Sequence, residues 1–535
     1  MSGIAAGTEG LRLQVTINGD VMSMDRSRES FVTPIIGTDY YIDDASNDND
    51  QYTPGAIGKV RNSGRTPDAP KPHLATLLRA FELRYGDVVY VDAGTYGLIQ
   101  PIVVSAVDGV GFGNDYGFSL VGPNLVGSTA IINPLTSEIQ NNEVLLTIDR
   151  ADDVKLADIS FTGGYYGMEV VNSDGVELNN LSIYANADDG LHIDSDSLNI
   201  AITSGSFYSN AGNGIWVEGN ATIDAVEVYS NDETGVYARN TSPSSEGKVI
   251  TLTNSEIYDN EDREVYLYSS NYVDGWYGVV MANNTVYESD LNAYLEAVYM
   301  RNGLLQGNDI SGGSISLNIG GFSVAQNNVI HESGNIGVRL LDGTIFKNNR
   351  VWGHADRGVY ATYTNSMVIL GNKIYNNDVG LRVTTTGSGV QVRNNMFYMN
   401  TSVGAQIDGS NTSIDVMNNT FLHTSGRSIY VMGNTENLFI RNNIFLLDDG
   451  YAIYVDDNSQ VGFNSDYNLF DMGGSAIYGY WQGDQVSVID WQGASGQDAH
   501  VVLGYPDFVS INGVDGILGA SGGIDYGEDD DFHLK

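Results

Sequence analysis

Small and apolar residues recur along this chain in a four-residue unit: a small residue, an apolar one, a variable one, and a second apolar one. It appears as Gly167-Met-Glu-Val170, Gly190-Leu-His-Ile193, Gly214-Ile-Trp-Val217 and Gly235-Val-Tyr-Ala238. It returns as Gly337-Val-Arg-Leu340, Gly358-Val-Tyr-Ala361, Gly380-Leu-Arg-Val383, Gly404-Ala-Gln-Ile407, Ser428-Ile-Tyr-Val431 and Ala452-Ile-Tyr-Val455. Starts lie 23, 24 and 21 residues apart in the first block and 21, 22, 24, 24 and 24 in the second. Alternation within the unit has the period of a β-strand. Recurrence of the whole unit every 21–24 residues is the signature of a solenoid. One coil cannot bury its apolar face alone, so coils must stack at about 4.8 Å.

A second anchor keeps the same step. Paired asparagines precede an apolar residue at Asn348-Asn349, Asn394-Asn395, Asn418-Asn419 and Asn442-Asn443. Asparagine tolerates the left-handed backbone of a tight turn, and a repeated buried asparagine can form a side-chain ladder. The pattern predicts about 14 coils between Val144 and Phe470, by the strand spacing.

Both ends depart from the period. Leu74, Leu77, Leu78 and Phe81 have helical spacing and predict a capping helix within Pro72–Arg84, ahead of a first strand and turn at 86–96. After Asp471 the period is lost, and Trp481, Trp491 and Phe508 are expected to close the other end. The expected division is an N-terminal extension (1–38), a cap with the first coils (39–143), the repeats (144–470) and a C-terminal cap (471–535). The stretch 240–334 breaks the rhythm with insertions at 241–247 and 269–276, which in solenoids become loops on one face. Few helix formers and abundant Asn, Gly, Val, Ile and Tyr make the chain all-β.

Stacking aligns the outward residues of each unit into columns. The first reads Glu169, His192, Trp216, Tyr237, then Arg339, Tyr360, Arg382, Gln406, Tyr430 and Tyr454, with Tyr266 and Tyr299 continuing it through the irregular stretch. The second reads Val171, Asp194, Glu218 and Arg239, joined by Tyr268 and Arg301, then Leu341, Thr362, Thr384, Asp408, Met432 and Asp456. Trp216, Tyr237, Tyr266, Tyr299, Arg301, Arg339, Tyr360, Arg382, Tyr430 and Tyr454 suit an extended sugar chain. Aromatic faces stack on sugar C–H surfaces, and Arg forks grip carboxylates or sulfates.

Glu169, His192, Asp194, Glu218 and Arg239 form the candidate catalytic cluster. Adjacent-coil spacing puts Asp194 about 5 Å from Glu218, and Glu169 lies roughly 8 Å from Asp194, separations that bracket the glycosidase geometries. The same carboxylates allow a second chemistry. Asp194, Asp196 and Glu218 could hold calcium against a uronate carboxylate while His192 or Tyr237 removes a proton.

Charge narrows the partners. With 25 Lys and Arg against 67 Asp and Glu, the net charge of −42 excludes nucleic acid and an anionic membrane. No run is long and apolar enough for membrane insertion. The absence of cysteine excludes disulfides and thiolate metal sites. Residues 1–3 show no signal peptide, and strand-like sequence begins by Leu11, so the expectation is a piece of a larger exported protein with neighbouring domains.

These repeats and ends resemble the pectate-lyase-like right-handed parallel β-helix superfamily, with its polysaccharide lyases, pectin glycosidases, alginate epimerases and phage tailspikes. Residues 39–96 look like the opening of β-helix domains in large exported bacterial proteins, and 466–534 like their closing segment. Tyr166-Gly167 matches the start of the epimerase Tyr-Gly-x-Asp-Pro-His motif, but Glu169 replaces the Asp and Val170-Val171 replace Pro-His. The resemblance implies an extracellular or cell-surface protein acting on polysaccharide, as a lyase or hydrolase. The alternatives are a non-catalytic adhesin or structural module, or a tailspike-like homo-oligomer in which residues 11–24 mediate assembly.

Overall fold

A computed structural model of the protein describes residues 37–535 apart from 108–109, 112–113, 274, 292–295, 364, 386, 388 and 410–412, and the backbone of an antiparallel hairpin formed by Gln14–Ile17 and Asp20–Ser23. The proposed assembly segment at 11–24 otherwise lies outside the described residues.

Each repeated unit becomes one short strand of a continuous parallel sheet, here the front sheet. Met168 pairs with Leu191, Leu191 with Ile215, and Ile215 with Val236, so the anchors stack in register. Their inward side chains, Met168, Val170, Leu191, Ile193, Ile215 and Val217, are completely buried. Fourteen such strands lie between Leu146 and Val455. The stretch 240–334 is not a break in the solenoid. Tyr237, Tyr266, Tyr299, Asn318 and Arg339 are successive register partners, and the insertions lengthen turns without interrupting the sheet.

After the front strand each coil turns and makes a pair of strands that pack against the same core from behind. In Glu177–Tyr184 the chain bends at Asn180, whose φ is +49°, and stays paired on either side of the bend. The paired asparagines divide the work of this corner. Asn348, Asn394, Asn418 and Asn442 take the left-handed backbone, at φ of 56–57°. Asn349, Asn395, Asn419 and Asn443 turn inward and are buried. Each side-chain oxygen of that ladder accepts both the N–H and the Nδ2–H of the asparagine one coil earlier, as in Asn395 to Asn419 at 2.9 and 3.0 Å. A second ladder, Asn186–Asn210–Asn231–Asn260, runs beneath the turn preceding the front sheet. Along the same corner further on, His354 and His423 stand with Asn377 and Asn400, and burial holds their imidazoles down to about 3 and about 4.

The N-terminal helix is a single turn, Leu74–Leu78, with all three leucines buried. The helical spacing does not extend to Arg84 because the Leu83 N–H is taken by the buried Asp115 carboxylate at 2.6 Å. At the other end, the helix Val488–Ser495 buries Trp491 completely. The asparagine ladder finishes there: Asn468 Nδ2 donates to Asp498, which also accepts from Trp491 Nε1 and Ser465 Oγ. Phe508 is not part of that plug. From Tyr505 onward the chain runs back along the outside of the solenoid, where Phe508 and Phe532 pack on Trp352, Tyr375, Tyr398 and Leu446. Lys373 fastens this strap by donating to the carbonyls of Gly527, Glu528 and Asp530.

Candidate functional site

On the outer face of the front sheet, the first column forms as its spacing predicts, and it closes on itself. Tyr166, His192, Trp216, Tyr237, Tyr266 and Tyr299 stack in one pile with centroid separations of 5.2, 5.5, 4.0, 4.7 and 5.0 Å. Their planes lie within 17° of parallel. For the rings of this pile, the expected face-on stacking of a sugar is therefore overturned. Ring faces already covered by the next coil's ring cannot stack on a sugar, and only edges, hydroxyls and ring N–H groups are presented.

Beyond Tyr299 the column changes character. Asn318 and Arg339 both reach Glu296, at 2.8 and 4.0 Å. Arg382 pairs with Asp408 at 2.8 Å, and Tyr360 lies under the guanidinium groups of both Arg357 and Arg382. Arg427 lies over Tyr430 and Tyr454, and Tyr454 stacks on Tyr480. Arg301 is exposed and makes no ion pair with a described residue. These groups share one face, where Arg339 and Arg382 are already engaged by carboxylates of the same sheet.

The chemistry-bearing cluster gathers at the N-terminal end of the pile. His192 is held flat between Tyr166 and Trp216 and directed by Asp189, whose Oδ2 lies 3.0 Å from Nδ1. Asp189 is buried, and its other oxygen accepts from Asn213 N and Nδ2, both at 2.8 Å. In a neutral His192 that gives Nδ1–H to Asp189, the lone pair lies on Nε2. Glu169 is the register partner of His192 one coil away, half-buried. Burial holds its carboxyl above the usual range, against the opposing pull of His192 and a hydrogen bond from Thr147. Tyr166 and Asp189 were absent from the sequence-derived cluster. Their signals were the Tyr-Gly and Asp-Asp-Gly pairs at 166–167 and 188–190, immediately before front strands.

The remaining members are occupied elsewhere. The front strands end at Ile193 and Val217, so Asp194 and Glu218 sit on the turns beyond them. Asp194 accepts from the N–H of Asn172 and from the N–H and Oγ–H of Ser197, which makes it a turn-closing group. Glu218 faces Arg239 at 3.4 Å. The glycosidase-like carboxylate pair is thus not presented to a substrate. Nor do Asp194, Asp196 and Glu218 form the expected calcium site. Among the described residues no three carboxylate, imidazole or thiol groups surround a common point, and Asp196 is exposed on its turn.

Among solved structures, the chain is similar to the A-module of the mannuronan C-5 epimerase AlgE4 of Azotobacter vinelandii, at 15% identity over 64% of this chain and 88% of that one, with a TM-score of 0.35. It is similar to tailspike protein 3 of bacteriophage CBA120 at 10% identity over 67% and 59%, TM-score 0.39. It is similar to the pectate lyase Pel9A at 12% identity over 93% and 90%, TM-score 0.23. No curated protein sequence matches. A family model described as "right handed beta helix region" matches residues 124–246, 243–421 and 346–490. These matches span most of the chain and agree with the stacked coils, and the chain belongs to the right-handed β-helix family.

Proposed function

We propose that the protein is an exported, extracellular enzyme that binds an acidic polysaccharide along the front sheet and cleaves it by elimination at His192. The observation that carries this reading is the Asp189–His192 pair, clamped between Tyr166 and Trp216 beside a Glu169 whose carboxyl is held above the usual range. His192 Nε2 would take the proton on the carbon next to a uronate carboxylate. Glu169 would give its proton to the glycosidic oxygen as that C–O bond breaks and a C=C bond forms. Arg239, nearly half exposed beside its partner Glu218, would offset the substrate's charge. Elimination is preferred over hydrolysis because the carboxylate pair that hydrolysis needs is tied up in a turn and an ion pair.

The test is a panel of acidic and neutral polysaccharides read for new reducing ends and for the ultraviolet absorbance of unsaturated uronates. Both signals should rise together with an acidic substrate. His192→Ala should abolish them while retaining chain binding, since a proton-transfer group acts mainly in the transition state. Reducing ends without unsaturation would replace elimination by hydrolysis. Binding without products from any substrate would make the front sheet a recognition surface of the adhesin kind.

A further inference from the structure

The N-terminal cap carries Asp43, Asp44, Asp50 and Asp92 on neighbouring turns, and two of them have no hydrogen-bond partner. Asp43 and Asp92 follow the paired residues Ile42 and Val91, so they occupy equivalent positions in adjacent coils, and both are completely buried. Asp92 is saturated. The N–H groups of Gln51, Tyr52 and Thr53 wrap over its carboxylate at 2.6, 2.7 and 2.5 Å, joined by Thr53 Oγ1–H and Ala93 N–H. Asp44 accepts the N–H groups of Ser46 and Thr95. In contrast, both carboxylate oxygens of Asp43 and both of Asp50 are shielded from solvent without a hydrogen-bond partner, the nearby Thr53 hydroxyl being given to Asp92. Lys71, the neighbouring cation, has its ammonium turned away to the Val60 carbonyl at 2.9 Å.

A buried carboxylate without donors is strongly disfavoured unless something neutralises it. Here Asp50 stands close enough to Asp43 to act on its charge, at the end of the loop that runs on from Asp44. The strain shows in Asp43, whose carboxyl is pushed up to about 7, by burial first and by Asp50 second. Four solvent-shielded, unpartnered carboxylate oxygens are hard-cation chemistry. No nitrogen or sulfur donor joins them, and loop carbonyls and water would complete a six- to eight-oxygen shell. We propose that Asp43 and Asp50 bind a calcium ion that locks the 44–53 loop onto the first coils, a structural site apart from the front-sheet cluster.

The test is thermal unfolding of the full chain in chelator, calcium or magnesium, with Asp43→Asn/Asp50→Asn as the comparison. Calcium should raise the wild-type melting temperature by mass action on the folded state. Magnesium should do so far less, and the doubly substituted chain should melt at one temperature in all three media. If the substituted chain fails to fold, terbium luminescence sensitised by the nearby Tyr52 and Tyr96 reads the wild-type site directly, and excess calcium should quench it. A wild-type melting temperature indifferent to calcium would overturn the site. So would an equal calcium shift in the substituted chain, which would place the binding on the acidic surface.

Discussion

Asn394 and Asn395 are neighbours of identical chemistry with opposite expected responses to substitution. Asn395 is buried, and its Oδ1 accepts the N–H and the Nδ2–H of Asn372, both at 2.9 Å. Its own Nδ2 donates to Ile369 O and Asn419 Oδ1. In Asn395→Ala, two buried donors on Asn372 lose their acceptor. At about 1–3 kcal/mol for each orphaned group, the loss is about 4 kcal/mol. Asn394 is exposed at φ +57°, so its side chain matters mainly through the backbone it permits. Asn394→Gly should stay within about 0.5 kcal/mol of wild type, whereas Asn394→Ala should lose about 1 kcal/mol in the left-handed region. Denaturant midpoints measure the global effect. Amide exchange over residues 368–421 measures the local one, which matters because a solenoid can open coil by coil. Protection should collapse around Asn372 in Asn395→Ala and persist in Asn394→Gly. Equal midpoints for those two variants would refute the ladder as a source of stability.

Trp491→Ala should cost about 3–5 kcal/mol and fray the coils nearest the C-terminal end first, read as early loss of exchange protection around Ser465–Phe470. Glu264 is buried at the end of an asparagine ladder, its carboxyl pushed up to about 9 by burial despite hydrogen bonds from Asn260, with Glu288 adding to the rise. A raised acid is stabilising while protonated. Wild-type stability should therefore fall as the pH rises from about 5 towards 9, and Glu264→Gln should flatten that slope in midpoints measured across the range. Lys373→Met removes three hydrogen bonds to the C-terminal strap and should speed proteolytic trimming after Tyr505 while leaving the repeats intact on a gel.

The front-sheet register was legible in the sequence because alternation in a buried parallel strand is binary. A slip of one residue would have exposed Met168 and Leu191 and buried Glu169 and His192. Continuity through 240–334 was legible in part, since Tyr266 and Tyr299 could be placed in the column, whereas Asn318 could not. Its coil follows two long ones, of 29 and 33 residues, and has no aromatic to mark it. The candidate cluster was half legible. His192 and Glu169 were found by column, but Asp189 acts from the turn before its strand, where periodicity carries no information. Asp194 departs from its expected column for the converse reason: one residue beyond the last paired position, a side chain no longer obeys strand alternation and follows the nearest free N–H groups. The strap was not legible, because Phe508 and Phe532 pack on coils far away in sequence, Trp352 and Tyr375 among them.

The closed aromatic pile changes what specificity on this surface can mean. In a stacked solenoid, an aromatic column at every coil finds its best partner in the next coil, because a spacing of about 4.8 Å is already a stacking distance. The rings from Tyr166 to Tyr299 thus serve the sheet first, and they position His192 as one member of a rigid stack rather than as a mobile side chain. A sugar chain lying on that edge meets a row of hydroxyl and N–H groups at the coil repeat, not at the repeat of its own residues. On the proposed reading, such a surface would discriminate by hydrogen-bond register and charge, and its selectivity should be sensitive to methylation or acetylation of substrate hydroxyls. Replacing Tyr237 by Phe removes the hydroxyl and preserves the stack, so it should weaken affinity with no loss of thermal stability. Tyr237→Ala, which opens a gap between Trp216 and Tyr266, should lower both. Equal affinity for Tyr237→Phe and wild type would show that the ring edges do not contact the chain.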